Sequence, residues 1–211
     1  AEDGIRDRSP SRGLGDVYKR QANTLLPLID ENSEKAVTKA QEVINDFPKK
    51  MNEAVMGVMC KKIELDSSEK NSQELVKNFL NIMLDNKSDY TLSFRYLGES
   101  LKGKNEDLLK AQFQEHDRLS DWLLKWTKTL KSKNLNKKDV INMMDKTNPF
   151  FIPRIHLLEK IIDAATKHND FSQMKTLLKV FSNPYKEQPE NEAYSKPPKP
   201  NEIVKQTFCG T

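Results

Sequence analysis

Cysteine, glycine, histidine and long apolar runs are all scarce in this chain of 211 residues. Cys60 and Cys209 are its only cysteines, too few for a disulfide framework or a cysteine zinc site. Three of its seven glycines fall among the first 15 residues and the others stand singly, so there is no glycine-rich phosphate loop. His116, His156 and His168 are too widely spaced for a helical i, i+4 metal pair. His168, close to a predicted helix end, suits capping instead. No Gly-x-Ser-x-Gly elbow and no kinase catalytic-loop signature occurs. No apolar run reaches the roughly 18 residues of a membrane-spanning helix, and residues 1–21 lack the apolar region of a signal peptide. Charged residues make up 31% of the chain and nearly balance, at a formal net charge of +4. That balance demands no nucleic-acid partner. The expectation is a cytoplasmic protein with no membrane association.

The opening, AEDGIRDRSPSRGLGDVYKRQ, is rich in Arg, Asp, Ser and Gly, whereas the rest prefers Lys, Asn, Glu and Leu. It has neither helical stripe nor strand alternation. A disordered natural tail would read this way, and so would translated sequencing-adapter read-through, the reading preferred here for residues 1–21. On that reading they are not native, and the true N-terminal part is lost.

From Ala22 the apolar residues recur with helical period. Met51, Val55, Val58 and Met59 share one face. Leu75, Phe79, Ile82 and Met83 share another, with Asn71 or Ser72 as N-cap. Leu119, Trp122, Leu123, Trp126 and Leu130 form a third stripe, and Ile155, Leu158, Ile161, Ile162 and Ala165 a fourth, with Pro153 in its first turn. Asp170 is placed to cap a last helix, with Gln173 at the capping-box position and Phe171, Met174, Leu177, Leu178 and Phe181 as its buried face. No segment alternates as a strand does. Residues 22–182 are therefore predicted to be all-α. The proline-rich residues 183–211 are predicted to be extended, either solvated or anchored by Tyr185 and Tyr194.

Two features invite a chemical reading. Lysines between Lys125 and Asp139, near Trp122 and Trp126, suggest a nucleic-acid face. The tryptophans share the apolar stripe, however, and the lysines fall largely outside it, as on a solvated amphipathic helix. Cys60, beside Met59, reads as a core thiol. Cys209, the third residue from the C-terminal end, reads from composition equally as an accidental tail cysteine or as an exposed, exchangeable thiol.

Several blocks occur in a telling order: TLLPLID (24–30), DYTLSFRYL (89–97), NPFFIPRIHLLEKIIDAA (148–165), NDFSQMKTLLKVFSNPY (169–185) and the terminal CGT. Together they resemble the C-terminal part of the selenoprotein O (SelO, YdiU) family over about residues 22–211. The resemblance implies a helical portion of a protein-kinase-like (pseudokinase) fold. It further implies a parent that uses ATP with Mg or Mn to transfer AMP to Ser, Thr or Tyr hydroxyls of proteins. The kinase-like core that holds ATP and metal has no counterpart in this chain, so no catalytic residue or metal ligand is carried over. The chain alone is predicted to be inactive and to bind no cofactor, its partner being that core. Cys209, followed by Gly210 and Thr211, takes the position of the family's terminal selenocysteine or cysteine, implying a redox residue that pairs with a core cysteine. Asp89, Tyr90, Thr91, Phe94, Arg95, Asn148, Pro149, Arg154, Asn183, Pro184 and Tyr185 fall in matching blocks, where a structural role is expected. Arg154 reads either as paired with a carboxylate or as a surface arginine. Cytoplasmic location in a bacterium, or mitochondrial in a eukaryote, follows from the family. Two other readings remain: a non-enzymatic helical interaction module and a basic nucleic-acid-binding helical domain.

Overall fold

A computed structural model describes residues 24–103 and 106–204. The opening residues 1–21 and Cys209 lie outside the described residues. Within these, every regular element is helical and no strand occurs, as the all-α expectation holds. After a helical stretch at residues 24–29 come α1 (Ser33–Lys62), α2 (Lys70–Asp85), α3 (Tyr90–Leu101), α4 (Glu106–Lys110), α5 (His116–Ser132), α6 (Lys137–Thr147), α7 (Ile155–His168) and α8 (Ser172–Phe181). The chain divides inside α1 into Ala1–Val55 and Met56–Thr211.

In the first unit, α1 starts where Asn32 accepts the Lys35 N–H on its Oδ1 at 3.0 Å, a side-chain cap for an otherwise unpaired helix donor. Asp30 accepts from Asn32 N at 3.0 Å and pairs with Lys39 at 2.7 Å. The Lys39 ammonium holds the Asp30 carboxyl below its usual range, with help from the Asn32 N–H. Pro48 lies inside the helix. Of the predicted face, Met51 and Val55 are exposed in this unit; in the second unit Val58 is exposed and Met59 packs into the core.

The second unit is organised by an aromatic column. Phe79 stacks on Trp122 at 4.4 Å between centroids, Trp122 on Trp126 at 5.6 Å, and Phe94 meets Phe79 edge-on at 5.3 Å. Leu119, Trp122, Trp126 and Leu130 are buried as the third stripe predicts, and Leu123 packs against them. Each indole N–H finds a backbone carbonyl: Trp122 donates to Leu75 O in α2 at 2.8 Å and Trp126 to Ile63 O, just past the end of α1, at 2.9 Å. The tryptophans are therefore consumed by the core rather than displayed beside the lysines. Cys60 is fully buried, and burial pushes its thiol pKa up, which keeps it protonated and unreactive.

Helix ends differ from expectation. The N-cap of α2 is Glu69, not Asn71 or Ser72, and Ser72 is buried instead. Pro153 precedes α7, whose N-cap is Arg154. Asp170 accepts from Ser172 N at 2.8 Å, as predicted, while Phe171 occupies the formal N-cap of α8 without a side-chain bond. His168 is the last residue of α7. Glu64, Lys87, Asn134 and Asn169 adopt left-handed backbone with φ between 51° and 54°. After α2, Ser88 N bonds to Met83 O and Lys87 N to Leu84 O, the 6→1 and 5→2 pairs of a Schellman ending. A lysine pays about 1 kcal/mol for that φ. Lys87→Gly should therefore raise unfolding stability by about 0.5–1 kcal/mol, read by urea denaturation.

The fourth and fifth predicted faces are less covered than their period suggested. On α7 Ile161 is buried but Ile155, Leu158 and Ile162 are exposed; on α8 Leu177 and Val180 are buried but Phe171, Met174 and Leu178 are exposed. Tail residues 183–204 form two 3₁₀ turns, Pro189–Tyr194 and Pro200–Glu202, instead of running extended throughout. Proline at the start of each turn supplies the fixed φ that a tight helical turn uses. Tyr194 packs against a second cluster of Phe150, Phe151 and Val180, whereas Tyr185 is exposed.

Glu202 fastens the second turn, accepting from Lys199 N at 2.9 Å and pairing with Lys160 of α7. The Lys160 partner, then the Lys199 N–H, lowers its carboxyl pKa to about 2. A carboxylate whose pKa falls on folding contributes stability that is full above its unfolded value and lost as pH drops through the folded one. Amide exchange at Lys199, corrected for intrinsic rate, should therefore accelerate as pH falls from the ordinary glutamate range towards 2. Glu202→Gln should abolish that dependence.

Candidate functional site

Most of the residues singled out in the sequence converge on one buried polar knot. Asp89, the N-cap of α3, accepts from Leu92 N at 2.9 Å. Its two oxygens also take both terminal nitrogens of Arg154, at 2.7 and 3.1 Å. This two-bond fork is the strong geometry for an arginine–carboxylate pair. Arg154 Nε donates to Ser195 O at 3.0 Å. A guanidinium only 8% exposed thus ties the starts of α3 and α7 to the tail after its first 3₁₀ turn. Arg154 is not a surface arginine.

The second half centres on Arg95, 4% exposed. Its Nη2 pairs with Glu99 at 2.9 Å, and its Nη1 reaches Asn148 O at 3.2 Å, Asp145 O at 3.3 Å and Tyr185 O at 3.5 Å. The guanidinium lies 3.9 Å from the Phe150 ring centroid, a stacking that arginine favours. Lys102 meets Glu99 at 2.8 Å and Asp145 at 2.9 Å. Burial pulls the Lys102 amine down, but the two carboxylates outweigh it and raise its pKa. Two cations and two carboxylates thereby cancel. Among the described residues, Arg95 Nε and Ser93 Oγ are buried without a hydrogen-bond partner.

Asn148 closes the end of α1. Its Nδ2 donates to Lys62 O at 2.8 Å and its Oδ1 accepts from Lys62 Nζ at 3.3 Å. Lys62 Nζ sits 5.1 Å from the Phe94 ring centroid and 5.6 Å from that of Tyr90, and burial lowers its pKa. Tyr90 O–H donates to Met59 Sδ at 3.2 Å. Pro184 O accepts from both Phe150 N and Phe151 N, at 2.9 and 3.2 Å, which joins the Asn148–Phe151 and Asn183–Tyr185 segments. Asn183 O accepts from Gln188 at 3.0 Å. Pro149 and Thr91 are half-buried and lend the knot no side-chain hydrogen bond.

Sequence reasoning missed Glu99, Lys102, Asp145, Lys62 and Ser195. The Arg95–Glu99 spacing of i, i+4 was a readable signal for an intrahelical pair. Nothing in the sequence pointed to Asp145 or Ser195. The terminal nitrogens of both guanidiniums are engaged by carboxylates and carbonyls, and Arg95 also lies over a ring, an arrangement suited to fastening. Among the described residues no group of three or more His, Cys, Asp or Glu is placed to hold a metal ion, and no helix is long and apolar enough to cross a membrane. His156 is buried, which lowers its pKa. Cys209 lies outside the described residues.

Comparison with known proteins gives this knot a context. Residues 19–182 match the family model described as protein adenylyltransferase SelO. A protein nucleotidyltransferase YdiU of Maridesulfovibrio salexigens is 42% identical over 190 residues, covering 90% of this chain and 38% of the relative. Proteins of the same name from Bradyrhizobium diazoefficiens and Rhizobium etli are 35% and 40% identical, over 91% of this chain and 39% of each relative. The chain thus spans less than two-fifths of the length of these curated relatives. It belongs to the SelO/YdiU family of nucleotidyltransferases.

Proposed function

We propose that this chain is the helical C-terminal portion of a SelO-type protein adenylyltransferase, a scaffold for a kinase-like core that lies outside it. The observation that carries the reading is a match over nine-tenths of this chain to less than two-fifths of the YdiU relatives. The parent protein transfers AMP from ATP to Ser, Thr or Tyr hydroxyls of other proteins. A hydroxyl oxygen forms a bond to the α-phosphorus, the bond to pyrophosphate breaks, and the hydroxyl proton leaves to a base. ATP with Mg or Mn supplies the nucleotidyl group and its charge neutralisation. The described residues do not fit that pair, because Arg95 and Arg154 are already engaged and no metal-ligand group is present among them. Both are held by the core.

This chain's own contribution is mechanical. The bidentate Asp89–Arg154 pair and the Arg95 knot set α3, α6 and α7 in a fixed frame, and Arg154 Nε fixes the path of the tail. The tail supplies Cys209 as the parent's redox-sensitive residue, its partner cysteine lying in the core. Location is the bacterial cytoplasm.

The test is a chimera in which this chain replaces the matching 190-residue segment of the M. salexigens relative. Incubated with ATP and Mg, it should incorporate label from the α-phosphate into protein and none from the γ-phosphate. Transfer of the γ-phosphate would make the parent a kinase and overturn the reading.

A further inference from the structure

Within the first unit, helix α1 carries an apolar face whose large side chains the rest of that unit leaves exposed. Val37, Ile44, Phe47, Met51 and Val55 are each between 46% and 57% exposed. Val37, Ile44 and Met51 are seven residues apart, and Ala40, Phe47 and Ala54 repeat the same interval three positions on. At about 100° per residue these positions fall on one side of the helix. Lys39, Glu42, Asp46, Lys49 and Glu53 take the other side. Val37 to Val55 alone spans about 27 Å at 1.5 Å per residue. A helix solvated all round has no use for such a stripe, and an uncovered apolar patch of this length marks an interaction surface.

We infer that this stripe is the seat of the remaining part of the same polypeptide, the three-fifths of the relatives' length that this chain does not span. The inference rests on the proposed function, whose missing core it places on a particular surface. One observation and one general principle choose the occupant. The stripe lies inside the family-matched span of residues 19–182, so it is part of a segment that in the relatives belongs to a chain more than twice as long. A segment tethered in the same polypeptide also presents itself at an effective concentration near millimolar, well above that of a second copy. Burying the stripe against it removes five large side chains from water.

The test introduces Ile44→Asp with Phe47→Asp into the 211-residue chain and into the chimera with the M. salexigens relative. In the chain alone the melting temperature should stay within about 1 °C, because both sites are already in water. Binding of an apolar fluorescent dye should fall. In the chimera the melting temperature should drop by about 5 °C or more. If the unsubstituted chimera does not fold, aspartates at the aligned positions of the full-length relative carry the same comparison. Equal loss in chain and chimera would mean that the stripe is packed within this chain. No loss in either would mean that nothing seats on it. A dimer of the chain dispersed by the aspartates would make a second copy the occupant. Each of these results overturns the inference. Nucleotide transfer by the unsubstituted chimera is read separately, so an inactive chimera that still loses stability would sink the functional reading and leave the docking face.

Discussion

Replacing Arg95 with methionine should cost about 3–5 kcal/mol of unfolding free energy, the range for breaking a buried ion pair from one side. Glu99 is only 2% exposed and would keep Lys102 as its remaining ionic partner. The carbonyls of Asp145, Asn148 and Tyr185 would lose a shared donor. Methionine roughly preserves the length of the side chain, so the loss reports charge and hydrogen bonding more than a cavity. Urea denaturation followed by the fluorescence of Trp122 and Trp126 measures it. Removing Glu99 as well, as Arg95→Met with Glu99→Met, should recover most of the deficit, because an apolar pair of similar volume often equals a buried ionic one. A deficit below about 1 kcal/mol, the level of a surface pair, would show that the knot is not a fastening.

Trp126→Ala is the second large effect, at about 3–5 kcal/mol for truncation of a buried aromatic. Trp126 is fully buried and stacks on Trp122. Its N–H holds the Ile63 carbonyl just beyond the end of α1. Trp126→Phe separates the two contributions. It keeps most of the stack and loses the bond, leaving a buried carbonyl unpaired at a cost of about 1–3 kcal/mol. If phenylalanine were neutral, the indole N–H would not be what secures the turn after α1.

The part of the fold that was legible is the part whose covering neighbours lie within the chain. The stripe through Leu119, Trp122, Trp126 and Leu130 is buried because α2 packs on α5. The stripes on α7 and α8 have the same period, yet Ile155, Leu158, Ile162, Met174 and Leu178 face water. Periodicity states which residues share a face and says nothing about where the covering surface is encoded. Helix ends were opaque for a different reason. With so few glycines only α3 ends on one, Gly103, and four other left-handed positions fall to Glu64, Lys87, Asn134 and Asn169, of which only the asparagines resemble capping residues.

Only part of the knot's membership was legible, and none of its long-range pairing. The matching blocks drew attention to Asp89, Arg95, Asn148 and Arg154, whereas Asp89 and Arg154 stand 65 positions apart. No local pattern joins residues at that separation. Asp145 and Ser195 take part through a carboxylate and a backbone carbonyl in segments that the apolar pattern marks only as helix and tail. Their contribution depends on the packing of α3 against α6 and on the tail's turn.

If this chain supplies structure to a nucleotidyltransferase and not its ATP site, as proposed, it should not bind the nucleotide by itself. The most direct measurement is calorimetric titration of the purified 211-residue chain with ATP and Mg, beside the chimera carrying the remaining part of the relative. The expected result is no binding by the chain alone and saturable binding by the chimera. Micromolar binding of ATP by the 211-residue chain would contradict it.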